Sequence, residues 1–217
     1  DAVKDFAPIT VVASTPNIVV VHPSVPAKTL GELLALAKAQ PGKINFGSTS
    51  PGGSPHMSAE LLKMMAGVDM AHVPYKGGPE AITSVLRGET CCIMNQVQTV
   101  LPHYKAGRVR LLGVTTAKPV AAVQEVPTIA SSGLPGTQGF DSSIWFGIFA
   151  PKGTDAAVVH KLSTALRQVL EQPEPRQRFE SQGNAVRIET PEQFRQTVRK
   201  DRAKWAQVVK DAKISIN

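Results

Sequence analysis

Cysteine, aromatic residues and long apolar runs are all scarce in this chain. Only two of its 217 residues are cysteine, and they are neighbours, Cys91 and Cys92. Adjacent strand residues point to opposite faces, so a disulfide between them needs a distorted backbone; two unpaired small hydrophobic side chains are expected. There is no Cys-x-x-Cys spacing, and none of the five histidines stands at metal-ligand spacing with another ligand. Aromatic residues make up 5% of the chain, which leaves no stacking platform or RNA-reading motif. No apolar run reaches the roughly eighteen residues of a membrane span. The opening residues, Asp1 to Phe6, have neither a basic region nor an apolar core, so no secretory leader is expected within the chain. Internal repeats and low-complexity tracts are missing too.

What is present is an ordinary globular balance, 42% hydrophobic and 19% charged, long enough for one large domain or two small ones. Net charge is +7. A basic chain can attract nucleic acid, anionic lipid or acidic solutes, and distribution decides among them. Most basic residues are scattered. The exception is the last helix, where Phe194, Val198, Trp205, Val208, Val209 and Ala212 form an apolar stripe at about 100° per residue. Arg195, Arg199, Arg202, Lys210 and Lys213 flank it, and are expected to be a solvated face whose stems cover the edge of the core.

Strand and helix signals alternate along the chain. Strands are expected over Phe6–Ser14, Ile18–Val21, Lys43–Gly47, Met70–Tyr75, Glu89–Met94 and Val109–Thr115. Thr29 to Glu32 is a capping box opening a helix to about Gln40. Further helices run from Pro55 to Ala66, with Leu61, Leu62, Met64 and Met65 as its apolar core face, from Pro79 to just before Gly88, and over Val97–Lys105. This alternation argues for an α/β architecture with a mostly parallel sheet. Residues 117–142 read as an irregular connection with one helical turn at Thr128–Ser132. A strand at Ser143–Ala150, helices from Asp155 to Glu171 and from Pro175 to Gln182, a strand at Ala185–Ile188 and a long terminal helix capped at Thr190 follow. A domain boundary is expected near residue 142.

Three strand-to-helix turns carry candidate chemistry. The first is Ser48-Thr49-Ser50-Pro51-Gly52-Gly53-Ser54 with His56 behind it. It delivers backbone N–H groups and hydroxyls to a helix N-terminus, which favours a carboxylate or phosphate. The second is Tyr75-Lys76-Gly77-Gly78, and the third Asn95-Gln96. In an open α/β sheet, ligands bind beyond the carboxyl ends of the strands, so the three can converge. Gly47-x-x-x-x-Gly52-Gly53-Ser54 has phosphate-loop spacing, but Gly53 stands where the lysine belongs, which argues against nucleotide hydrolysis. No Gly-x-Ser-x-Gly nucleophile elbow occurs at such a turn. Three readings remain: a binding protein for a small carboxylate, the ligand-sensing domain of a transcriptional regulator, or an enzyme using Lys76 or His56.

One ordered string of motifs narrows these. Asp5-Phe6-Ala7-Pro8-Ile9-Thr10, Phe46-Gly47-Ser48 through Ser54-Pro55-His56, His72-Val73-Pro74-Tyr75-Lys76-Gly77, Val126-Pro127-Thr128 and Trp145-Phe146-Gly147-Ile148-Phe149-Ala150-Pro151 together resemble the Bug family. These are the extracytoplasmic solute receptors of tripartite tricarboxylate transporters. The resemblance covers essentially the whole chain. It implies an α/β, type II periplasmic-binding-protein-like fold, with one complete lobe plus the C-terminal part of a second. Residues 1–17 would be the crossover strand region, 18–141 the ligand-binding lobe, and 142–217 the second crossover strand and the end of the first lobe. The implied function is non-enzymatic, periplasmic binding of a small carboxylate in an interlobe cleft, passed to membrane permease subunits or a sensor protein. No cofactor, metal or nucleic acid is implied. Ser48, Thr49, Ser50, Gly52, Gly53, Ser54, His56, Tyr75, Lys76, Gly77 and Asn95 are the implied ligand-binding residues.

Two departures from the family pattern bear on this. A typical member has a long section before Asp-Phe-Ala-Pro, with most of the first lobe and a second glycine-rich ligand loop. Without it, residues 142–217 are expected to expose apolar surface and favour self-association, swapping or a partner chain. Asn95-Gln96 also stands where the family usually carries an acidic residue followed by asparagine, which alters ligand preference.

Overall fold

The computed structural model describes residues 3–214; Asp1, Ala2 and Ser215–Asn217, the ends of the first and last expected segments, lie outside the described residues. The chain divides into two compact units, one made of residues up to Thr15 with Ile144–Gln207, the other of Pro16–Ser143 with the segment from Val208.

The first unit is built on two long strands, β1 (Phe6–Thr15) and β7 (Ile144–Pro151). They pair antiparallel from Phe6↔Pro151 to Thr15↔Ile144, and the short β8 (Ala185–Val186) pairs with the other edge of β1. Helices α5 (Ala156–Leu170), α6 (Pro173–Ser181) and most of α7 (Pro191–Asp211) belong to this unit. Thr190 and Gln193 form a reciprocal capping box at the start of α7: each backbone N–H donates to the other side chain, at 2.9 and 3.2 Å. The first turns of α7 bury Phe194 and Val198 against Val11, with Trp145 and Phe149 packed alongside. Full burial of one such aromatic ring contributes roughly 2–3 kcal/mol. The unit also leaves Phe6, Phe146, Ile148, Val158, Leu162 and Val169 exposed. Along the α7 stripe Phe194, Val198 and Val208 are buried and Trp205 is half-buried, while Arg199, Arg202, Lys210 and Lys213 are exposed.

The second unit is a five-stranded sheet in the order β4-β3-β5-β2-β6. Its strands are β2 (Asn17–Val21), β3 (Asn45–Ser48), β4 (Ala71–Pro74), β5 (Cys92–Gln96) and β6 (Arg110–Val114). β3 runs parallel to β4 and β5, but β2 lies antiparallel to both β5 and β6. The expected mostly parallel sheet is therefore corrected to a mixed one. Four strands share a direction, and β2, entering from the first unit's side of the sequence, is wedged between two of them. Every residue of β2 is buried, and Ile18–Val21 form the continuous β-branched run that suits a central strand.

The helices of this unit are α1 (Leu30–Ala39), α2 (Ser54–Ala66), α3 (Gly78–Leu86) and α4 (Val97–Lys105). Their core joins Ile18 and Val20 of β2 with Ile93 of β5, Ala81 and Val85 of α3, and Val97 and Val100 of α4. The capping box at α1 is half as expected: Thr29 Oγ1 accepts from Glu32 N–H, but the Glu32 carboxylate receives the N–H of Lys28. Gly67, at φ +63°, ends α2. Leu61 and Leu62 on α2 are buried, whereas Met64 is exposed, so the expected methionine face is only partly core. β5 begins at Cys92 rather than Glu89, because Glu89 N–H turns back to Ser84 C=O at 2.8 Å. The irregular stretch after β6 is anchored, since Val114 both donates to Pro127 C=O and accepts from Ile129 N–H. Short 3-10 turns occur at Ala121–Val123 and Ala130–Ser132, the first of them unforeseen. Among the described residues, no helix is long and apolar enough to cross a membrane.

Candidate functional site

Because β3, β4 and β5 run in one direction and lie side by side, their carboxyl ends reach the same edge of the sheet. The turns that follow them are joined there. Tyr75 N–H donates to Ser48 C=O at 2.8 Å, linking the β4–α3 turn to the β3–α2 turn. Asn95 Nδ2 donates to Gly78 C=O at 3.0 Å, linking β5 to the first turn of α3. Gly47 permits the first junction: a Cβ there would lie 2.8 Å from Ile93 Cγ2 and 3.1 Å from the Tyr75 ring.

Each turn feeds a helix N-terminus, where free N–H groups and the helix dipole create positive potential of about half a charge. Within this unit α1 is capped by the Thr29 side chain. The caps of α2, α3 and α4 are Gly53, Gly77 and Gln96, and none of them makes a side-chain cap bond. Three helix ends without a side-chain cap bond thus gather at one edge of the sheet, although at α4 Val97 N–H already donates to Pro16 C=O at 3.3 Å. At α3 the Glu80 carboxylate accepts the N–H of Lys76 at 2.8 Å.

The expected site residues divide by exposure. Ser48, Asn95 and His56 are buried; Thr49, Gly52, Gly53, Ser54, Tyr75 and Gly77 are half-buried; Ser50 and Lys76 are exposed. Asn95 is braced on both sides of its amide, since Oδ1 also accepts Gln96 N–H at 2.9 Å. Gly52 has φ +71°, a left-handed conformation that favours glycine, whereas Gly77 at φ 167° is extended. Among the described residues, no group of three or more His, Cys, Asp or Glu is arranged to hold a metal ion.

Sequence reasoning missed His72. It lies on β4 beside Phe46 of β3 in the parallel register, and its ring stacks on both Phe46 (5.0 Å) and His56 (3.8 Å, 9° between planes). His72 Nε2 sits 2.7 Å from Ser48 Oγ. His56 Nδ1 accepts Gly52 N–H at 2.9 Å, and its Nε2 is 3.7 Å from Glu60 Oε1. Lys63 Nζ is 2.9 Å from the same carboxylate oxygen. Burial, then the neighbouring His56, pushes His72 down to about 4. For Glu60, burial is the largest single influence and pushes upward. The hydrogen bonds and charges of His56 and Lys63 together outweigh it, holding the carboxyl below its usual range. The alternate spacing of a strand could have suggested His72's face, but not the strand order that sets it beside Phe46.

The chain matches the model of the tripartite tricarboxylate transporter family receptor over residues 1–214. It is 31% identical over 215 residues to a protein encoded in the tcbD-tcbE intergenic region of Pseudomonas sp. strain P51, covering 99% of this chain. To the protein BugT of Bordetella pertussis it is 30% identical, covering 96% of this chain. It spans 63% of the length of each of these two relatives. Among solved structures, R. palustris Rpa4515 with adipate is similar at TM-score 0.84 and 31% identity, over 99% of this chain and 71% of that one. MatC from Rhodopseudomonas palustris with bound malate is similar at TM-score 0.78 and 27% identity, over 95% and 70%.

Proposed function

The chain belongs to the tripartite tricarboxylate transporter receptor family, and on that premise we propose that it is the carboxylate-binding portion of a periplasmic solute receptor. The observation that carries the reading is the meeting of three helix N-termini without side-chain caps at the carboxyl edge of β4-β3-β5. A ligand carboxylate would supply the cap oxygens missing at α2 and α3, with the dipole of α4 adding to the field, so that backbone N–H groups and dipoles hold the anion. Ser48, Thr49, Ser50, Gly52, Gly53 and Ser54 form the main cradle, with His56 behind it. Tyr75, Lys76, Gly77 and Asn95 make up its flank. The similar structures of Rpa4515 with adipate and of MatC with bound malate support a small carboxylate as the ligand class. Binding proceeds without covalent change to the solute, which passes to a membrane permease.

Thermal-shift and calorimetric titration with adipate, malate and a panel of mono- and tricarboxylates test this on protein expressed from its complete coding sequence. A true ligand at about a hundred times its dissociation constant adds roughly 2.7 kcal/mol of stability. The solute is expected back unchanged after incubation. A panel in which no carboxylate binds, or one in which the solute is chemically altered, overturns the reading.

A further inference from the structure

We propose that His56 is a positioning residue for the loop between β3 and α2: its Nδ1 accepts Gly52 N–H and so holds the loop in the shape that faces an anion. The proposal rests on the reading of that loop as part of the carboxylate site. The geometry is specific. Gly52 is in the left-handed region, and its N–H points to the buried imidazole at 2.9 Å rather than to solvent. Nδ1 can accept only if the ring proton is on Nε2, and Nε2 faces Glu60 Oε1 at 3.7 Å. Lys63 pins that carboxylate from the next turn of α2 at 2.9 Å. The tautomer with its proton on Nε2, the side of the Glu60 carboxylate, is the one that lets Nδ1 accept Gly52 N–H.

The second ring completes the arrangement. His72 stacks on His56 at 3.8 Å and reaches Ser48 Oγ at 2.7 Å, so two parallel imidazoles hold the last residue of β3 and the loop's left-handed glycine. The charged and titratable groups facing His56 are Glu60 and Lys63 from α2 and His72 from β4; Phe46 from β3 is uncharged. Burial lowers the pKa of His72, so it presents no cation to His56 near neutral pH. Removing the Nδ1 acceptor loses the Gly52 bond, and with it the loop shape that aims its other N–H groups at an anion.

The test uses protein expressed from its complete coding sequence, its His56→Asn and His56→Phe variants, and adipate as the probe. Asparagine places an oxygen near the position of Nδ1; phenylalanine keeps the stacked ring and offers no acceptor. Without ligand, amide hydrogen exchange should find Gly52 protected in the wild type and in His56→Asn, and deprotected in His56→Phe. Adipate affinity should fall about fivefold in His56→Phe, the effect of one lost hydrogen bond, and be largely kept in His56→Asn. Equal Gly52 protection in wild type and His56→Phe, or an adipate affinity in His56→Asn as low as in His56→Phe, would overturn the proposal. Should adipate and the other carboxylates bind none of the three proteins, the receptor reading fails, and the exchange data alone still decide the role of His56.

Discussion

Gly147 of β7 carries the end of the Phe194 ring: a Cβ built on it would lie 2.1 Å from Phe194 Cζ and 2.7 Å from Cε1. Only a residue without a side chain lets α7 dock its first apolar anchor onto the β1–β7 pair. Phe194 is fully buried and also meets Trp145 edge-on at 5.1 Å, so the ring has no free direction to move. Gly147→Ala should therefore cost about 1–3 kcal/mol, the usual penalty of overpacking a filled core. Denaturant unfolding measures it. In the Phe194→Leu background the same substitution should cost clearly less, because the shorter side chain vacates the clash. Equal costs in both backgrounds would mean that the ring is not what Gly147 accommodates.

His72 makes stability depend on pH in a defined window. Its folded value is about 4 against an ordinary 6.5, so the unfolded chain takes up a proton that the folded one refuses. The stability so contributed is complete above pH 6.5 and is lost progressively as pH falls toward 4. Because the ring is only half-buried and solvent screens its charge, the loss is about 1–2 kcal/mol rather than the full value of the shift. Glu60, held below 4.5, works separately: its contribution is present above 4.5 and disappears only at lower pH. Melts at pH 7.5 and pH 5 stay above the Glu60 window, and His103, lowered by burial and then by Arg108, contributes in the same direction, so the variant is what singles out His72. His72→Gln, whose amide can still meet Ser48 Oγ, should flatten the difference; an undiminished drop in that variant would assign it elsewhere.

The parts of this fold that were legible in the sequence are those set by local chemistry. α4 runs from Val97 to Lys105 as read, and Gly67 and Gly88 stop their helices with positive φ, because a helix end is decided within a few residues. The three candidate turns were visible for the same reason, since glycine, proline and hydroxyl residues announce a strand-to-helix turn on their own. What was hidden depends on strand order. Nothing near Ile18 says that β2 runs antiparallel between β5 and β6. The stack of His56 on His72 joins residues sixteen apart only because β4 lies next to β3 in a parallel register. The start of β5 was misplaced for a different, local reason. Thr90 Oγ1 bonds Ser84 Oγ at 2.7 Å, drawing the segment back toward α3 before the strand begins.

Ser58 is a structural junction inside the second unit. Its hydroxyl reaches Ser54 C=O at 2.8 Å, receives Asn17 Nδ2 at 3.0 Å and lies 2.5 Å from Ser142 Oγ, the last two contacts buried. Asn17 Oδ1 is already a buried atom without a hydrogen-bond partner. Ser58→Ala would leave the other end of the same amide unpaired as well, which should cost about 1–3 kcal/mol. Because Ser142 loses its partner in the same step, adding Ser142→Ala should cost less than it does alone. A loss below roughly 0.5 kcal/mol for Ser58→Ala, measured by denaturant unfolding, would show that the cluster readily finds replacement partners.

The uncapped start of α2 yields a prediction that separates stability from binding. Gly53 is the cap residue, at φ −68°, and its lack of a side chain leaves the helix end without an oxygen of its own. A Cβ there would come 2.6 Å from Ser50 Oγ, but Ser50 is exposed and its hydroxyl can turn aside. Aspartate at this position would supply both the missing acceptor and a charge favoured by the dipole. Gly53→Asp should therefore keep or raise stability, by up to about 0.5 kcal/mol. It should lower affinity for adipate at least tenfold, because the new carboxylate occupies the place and the potential that the ligand uses. Gly53→Asn caps without charge, so it separates repulsion from crowding: it should retain more affinity than the aspartate variant. Undiminished adipate binding by Gly53→Asp would show that the anion is held elsewhere.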